Sequence, residues 1–179
     1  QMSINGFWMD VTEITNSEYK QFVYYVRDSI AATLLGYKDA KTGNLDPKKM
    51  AGIWKEKNVY EKLGQMMLAP DDRLYGRMEI DPDKLIYQEE YLDYKAAAYR
   101  KPNEPRSKFI VKNPVKIYPD TLVWVRDFSY SYNEPMSVRY FSHPAFANYP
   151  VVGVNWKQAT AFCNWRTRYL NGFLEFKKK

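Results

Sequence analysis

Cysteine and histidine are almost missing from this chain, which holds one of each in 179 residues. A single cysteine excludes a disulfide within the chain and any cysteine-rich metal site. A single histidine, His143, excludes a histidine-rich zinc site. A site built on one histidine would need cysteine or carboxylate partners at close spacing, and the sequence places none around it. No run of about 18 apolar residues exists, so nothing reads as a membrane span. A phosphate-binding glycine loop and a G-x-S-x-G elbow are both missing. No signal peptide stands at Gln1, and a start without methionine reads as a processed or truncated chain.

What is present is aromatic. Aromatic residues make up 17% of the chain, with 16 tyrosines, against an ordinary 45% of apolar residues overall. Tyrosine packs its ring while its hydroxyl bonds outward, so it suits irregular folds, interfaces and sugar-facing surfaces. The length fits one domain with a sizeable core. The net charge of +6 is modest. Its excess between Gly36 and Tyr118 is well mixed in sign, which describes a solvated face, and no nucleic-acid partner is expected.

The strongest local signal runs from Tyr149 to Thr167. Val151, Val152 and Val154 form a β-branched run that predicts a short buried strand. Gly153 inside it predicts a close backbone approach or a bulge. Asn155 is placed to cap a helix, with Gln158 three residues on as its capping-box partner. Ala159, Phe162, Cys163 and Arg166 then follow helical spacing, widened by Trp156 and Trp165.

At the other end, Phe7, Met9 and Val11 alternate against Trp8, Asp10 and Thr12, which predicts a strand. Thr15 and Glu18 form a second capping box, followed at helical spacing by Tyr19, Phe22, Val23, Val26 and Ile30. Residues 36–115 are cut into short pieces by glycine and proline and read as an insertion within one domain spanning 1–179. Asp83–Tyr99 predicts one helix there, with Leu85, Ile86, Tyr91 or Leu92 partly buried. Alternation from Leu122 to Phe128 predicts a strand closed by an Asn133-Glu134-Pro135 turn. Tyr140–Pro150 reads as an aromatic loop, and Asn171-Gly172 as a helix C-cap.

Chemistry is not advertised, and no catalytic, cofactor-binding or metal-binding residue is expected. His143 reads as a structural residue before Pro144. Cys163 reads as a small hydrophobe in the core stripe, with no activating His or Lys at a suitable spacing. Asp120, Asp127 and Glu134 are spread along a strand and turn rather than paired across a pocket, so turn formation and salt bridging describe them better than acid/base work. The aromatics could stack on sugars, but most fall at core periodicity.

The run Pro150-Val-Val-Gly-Val-Asn-Trp-Lys-Gln-Ala-Thr-Ala-Phe-Cys-Asn-Trp165 resembles the signature of the formylglycine-generating, sulfatase-modifying-factor family. Phe7–Asn16 resembles that family's N-terminal strand and helix start. The resemblance implies an α+β fold related to C-type lectins, with much irregular structure and only its N-terminal part present. Three further pieces resemble the gliding-motility lipoprotein branch of the family, GldK and its PorK relatives. They are Tyr24–Ile30, Tyr118–Phe128 with Tyr132–Met136, and Tyr140–Ala145.

That branch implies a non-catalytic structural subunit of the type IX secretion and gliding machinery of Bacteroidetes. It implies a homo-oligomeric ring built with the partner GldN/PorN on the periplasmic face of the outer membrane, held by a lipid anchor upstream of Gln1. Peptidoglycan is a further candidate partner. The family's oxidases use a C-terminal cysteine pair and copper. Cys163 matches neither cysteine, and the family's Arg-Leu-Pro-x-Glu-x-Glu-Trp segment, expected after Asn171, is absent. The alternatives are a periplasmic glycan- or peptidoglycan-binding module and a fragment of a formylglycine-generating oxidase.

Overall fold

A computed structural model describes residues 9–37, 47–127 and 139–178, together with Ser3, Gly6 and Tyr130. The architecture is mixed α+β: helices α1 (Asn16–Leu34) and α6 (Trp156–Lys177) dominate, with one antiparallel sheet of β1 (Ile86–Leu92) and β2 (Ile110–Lys116). Short helices α2 (Pro47–Met50), α3 (Val59–Lys62), α4 (Tyr94–Ala98) and α5 (Val123–Asp127) and several 3-10 turns lie between them. The chain groups into two compact units, residues 1–21 with 119–154, and residues 22–118 with 155–179. The boundary passes through α1 after Gln21.

In the first unit the start of α1 is held from two directions. The Thr15 amide donates to Glu18 Oε2 at 2.8 Å and the Glu18 amide to Thr15 Oγ1 at 3.3 Å, the reciprocal pair read from the sequence. The next two amides, which a helix cannot satisfy internally, donate to the aromatic loop. Asn16 reaches the Tyr149 carbonyl and Ser17 the Ala147 carbonyl, both at 2.8 Å. The fully buried Asn16 side chain adds a bond to the Phe146 carbonyl at 2.9 Å. Rings of Tyr140, Phe146 and Tyr149 pack in series, with Trp124 edge-on to Tyr140.

Several expectations for this unit are overturned. No strand forms over residues 9–14, where Met9 is 80% exposed and Val11 wholly so. The extended pairing shrinks to a single bridge between Thr15 and Pro150, supported by the Val151 amide donating to the Ile14 carbonyl. Ile4, Phe7 and Trp8 lie outside the described residues. Val151–Val154 forms no strand and is only half-buried.

The strand expected from Leu122 is the helix α5 instead. Asp120 Oδ1 accepts the Leu122 amide at 3.0 Å, Asp120 pairs with Arg126, and the Arg126 amide closes onto the Leu122 carbonyl. A local carboxylate thus nucleates a turn where no second strand lies opposite among the described residues to reward alternation. The Asn133-Glu134-Pro135 turn lies outside the described residues.

The second unit is packed around Phe22. Its ring meets Tyr87 of β1 at 5.1 Å, and Trp165 and Phe162 of α6 at 5.2 and 5.9 Å. Val23, Val26, Ala31 and Ala32 of α1 are buried with it, while Ile30 is half-buried. Ile53, Leu63, Met66, Met67 and Ile117 complete the core. Each large side chain withdrawn from water contributes about 1.5–3 kcal/mol.

The expected single helix over Asp83–Tyr99 does not form: its centre is β1, preceded by a 3-10 turn at Pro82–Lys84 and followed by α4. Leu85 is buried as expected, but Ile86, Tyr91 and Leu92 are exposed by a third or more. The reason is tertiary: Tyr87, Tyr91 and Leu92 find β2 partners Val115, Val111 and Ile110, and Glu90 faces Lys112 in a 2.9 Å ion pair.

Helix α6 begins with the expected capping box: the Asn155 amide donates to Gln158 Oε1 at 2.8 Å and the Gln158 amide to Asn155 Oδ1 at 3.0 Å. Its buried stripe is Gln158, Ala161, Phe162 and Trp165, not one passing through Ala159, Cys163 and Arg166. Trp156 is 84% exposed, and the helix runs through Asn171 and Gly172 to Lys177 without a cap there.

Candidate functional site

Two of the residues that drew attention as candidate chemistry, His143 and Asp120, make local structural bonds. His143 caps the 3-10 turn Pro144–Phe146, its Nδ1 accepting the Ala145 amide at 3.1 Å. Asp120 is the α5 nucleating residue described above. Cys163 is exposed, so its expected place in the core stripe is corrected. The side chain of Asp127 and all of Glu134 lie outside the described residues. No group of three or more metal-binding side chains occurs among the described residues.

Gly153 shapes the first unit through its backbone, as its place among valines implied. It has φ +80°, and a Cβ there would stand 2.2 Å from the Asp120 carbonyl oxygen. The Asp120 amide in turn donates to the Gly153 carbonyl at 2.8 Å.

In the second unit, α6 grips the sheet with polar groups the sequence did not reveal. Gln158, beyond its capping role, donates through Nε2 to the carbonyls of Lys116 and Tyr118 at 3.0 and 2.9 Å. Glu89 is buried and accepts Asn164 Nδ2 at 2.6 Å. Arg168 donates to the Glu90 carbonyl. Burial pushes the Tyr87 hydroxyl above its ordinary range against the opposing pull of the Arg168 charge, and burial likewise raises Tyr118. The Lys112 hydrogen bond holds the Glu90 carboxyl below its usual value. Signals for this cluster existed only in β1 parity: Tyr87, Glu89 and Tyr91 share one face once a strand is assigned.

A second polar lock joins α1 to the turn at Ile53–Lys55. Asp28 Oδ1 accepts both Arg27 Nε and Trp54 Nε1 at 2.7 Å, and the Arg27 guanidinium stacks 4.6 Å from the rings of Tyr24 and Trp54.

One groove of about 470 Å³ opens in this unit between the C-terminal half of α1 and the start of β1. Tyr25, Val26, Ile30 and Leu34 form its α1 wall, and Ile86–Gln88 its other side. Its Ser29 and Thr33 hydroxyls are committed, Ser29 to the Tyr25 carbonyl at 2.7 Å and Thr33 to the Ser29 carbonyl at 2.8 Å. The groove therefore offers apolar surface and strand backbone, with no nucleophile beside a base.

Among known families, residues 1–177 match the model of the sulfatase-modifying factor enzyme 1-like domain. No curated protein and no solved structure gives a match. With nearly the whole chain covered, the chain belongs to the sulfatase-modifying factor enzyme 1-like family.

Proposed function

We propose that this chain is a non-catalytic member of its family, used as a structural subunit of the type IX secretion and gliding machinery. In this reading it resembles GldK and PorK. It sits on the periplasmic face of the outer membrane through an upstream lipid anchor and assembles with GldN/PorN into a homo-oligomeric ring. The observation that carries the proposal is the pairing of family membership with the fate of the reactive side chains. Cys163 is the only cysteine in these 179 residues, so they hold no cysteine pair of the oxidase kind. It stands exposed on α6, while His143 and Asp120 are bound into turns.

Two further features support it. The motifs Tyr24–Ile30, Tyr118–Phe128 and Tyr140–Ala145 are those that resemble the gliding-motility branch. No helix among the described residues is long and apolar enough to cross a membrane. The exposed face of residues 36–115 and the loop Tyr140–Tyr149 are the proposed subunit contacts.

The test is extraction of the full-length protein from its own membranes in mild detergent, followed by negative-stain microscopy and protein mass spectrometry. A large ring with a second, stoichiometric subunit is expected. A small species that binds glycan or carries copper would overturn the proposal.

A further inference from the structure

The amides of Ile117 and Asp93 donate across the sheet to Leu85 and Phe109, so the odd-numbered residues of β1 face β2. The backbone groups of Ile86, Gln88 and Glu90 therefore point away from it. On β2, part of the outward row is closed: Pro114 has no amide, and the Lys116 carbonyl is taken by Gln158. On β1, Arg168 takes the Glu90 carbonyl. The amides and carbonyls of Ile86 and Gln88 have no hydrogen-bond partner among the described residues. An open edge with neither proline nor lysine to blunt it is a template for another strand. It is also the edge that borders the 470 Å³ groove.

We propose that the Ile86–Gln88 edge of β1 receives an extended segment of a partner protein, which adds as a third strand in the groove against α1. Only an extended backbone answers alternating donors and acceptors at strand spacing. All nine residues lining the groove are uncharged, so the segment that fits is uncharged, with apolar side chains alternating towards Val26, Ile30 and Leu34. A charged segment would lose its hydration there without compensation. A second copy of this chain fits less well, because its own β1 edge carries an α1 wall. The inference stands on sheet geometry and is independent of the ring assembly proposed above.

The test uses the full chain and a fluorescein-labelled peptide of alternating valine and threonine with lysines at both ends. Binding is followed by fluorescence anisotropy, and amide exchange at Ile86 and Gln88 by NMR. The peptide is expected to bind and to slow exchange at both amides. N-methylation of the peptide along one edge, Gln88→Pro and Ile30→Glu are each expected to weaken binding at least about tenfold. Should Gln88→Pro fail to fold, the methylated peptide tests the same hydrogen bonds on the unaltered protein. Absence of binding at millimolar peptide, unchanged exchange at Ile86 and Gln88, or equal affinity for the methylated peptide would each overturn the proposal. So would a dimer of the chain, seen by sedimentation, that Gln88→Pro dissociates, since a second copy would then occupy the edge.

Discussion

Replacing Gly153 by alanine tests the closest approach found at any described glycine. The new Cβ would lie 2.2 Å from the Asp120 carbonyl oxygen and near 3.0 Å from its carbon, and those are main-chain atoms with no rotamer to escape into. The substitution combines separate penalties. Alanine at φ +80° carries the left-handed strain of an L-residue, about 1–2 kcal/mol. Relieving the clash also separates Asp120 from Gly153 and so weakens their 2.8 Å hydrogen bond, about 1 kcal/mol. Backbone displacement of the overpacking kind adds about 1–3 kcal/mol. Gly153→Ala is therefore expected to destabilise by about 3 kcal/mol or more, a large share of a typical stability of about 5–15 kcal/mol.

Gly76 is the internal control. It has φ +69° but open space around its Cα, so Gly76→Ala should show only the strain, about 1–2 kcal/mol. Urea unfolding followed by circular dichroism compares the two, and amide exchange at Asp120 reports the local bond. Equal costs for the two variants, or an unchanged Asp120 exchange rate in Gly153→Ala, would refute the close-approach reasoning.

The remaining predictions concern α6, α1 and the tyrosines. Asn155→Ala should cost about 1 kcal/mol as a lost helix cap. Gln158→Leu should cost about 1–3 kcal/mol more, because it also strips the donor from the carbonyls of Lys116 and Tyr118; urea denaturation of the pair checks the difference. Asp28→Ala should release Trp54 Nε1 and the stacked Arg27, seen as a red shift and quenching of tryptophan emission; an unchanged spectrum would show that the turn at Ile53–Lys55 is held by apolar packing alone. Burial raises the hydroxyl pKa of Tyr19, Tyr87 and Tyr118 above the ordinary value of about 10. The folded state then holds protons that the unfolded state gives up, so stability should be level below that value and fall as pH rises through and above it. Tyrosinate absorbance during alkaline titration should show a late fraction that becomes normal in urea.

Both capping boxes were legible because each is closed by residues three apart. Thr15 with Glu18 and Asn155 with Gln158 mark the starts of α1 and α6 through local bonds that the sequence alone displays. Helical periodicity identified Tyr19, Phe22, Val23 and Val26 for the same reason, and Gly153 announced itself as a residue where a side chain has no room. The family too was readable, since its signature lies in one continuous run.

What depended on distant partners was not legible. Residues 86–92 and 123–127 carry similar β-branched and aromatic content, yet the first became a strand and the second a helix. The difference is that Ile110–Lys116 lies opposite the first, while Asp120 captures the start of the second. The buried stripe of α6 was misplaced because helical spacing gives a period but not a phase. The contacts of Phe162 and Trp165 with Phe22, and of Asn164 with Glu89, set the phase and left Cys163 outside. The groove was invisible for the same reason: its walls come from α1 and β1, and only tertiary packing brings Ile30 and Leu34 beside the unpaired edge at Ile86 and Gln88. The sequence by itself therefore determined the helix starts, the buried face of α1 and the family. Tertiary structure decided strand against helix, the rotation of α6 and the open edge, because each is a balance between elements that no local stretch contains.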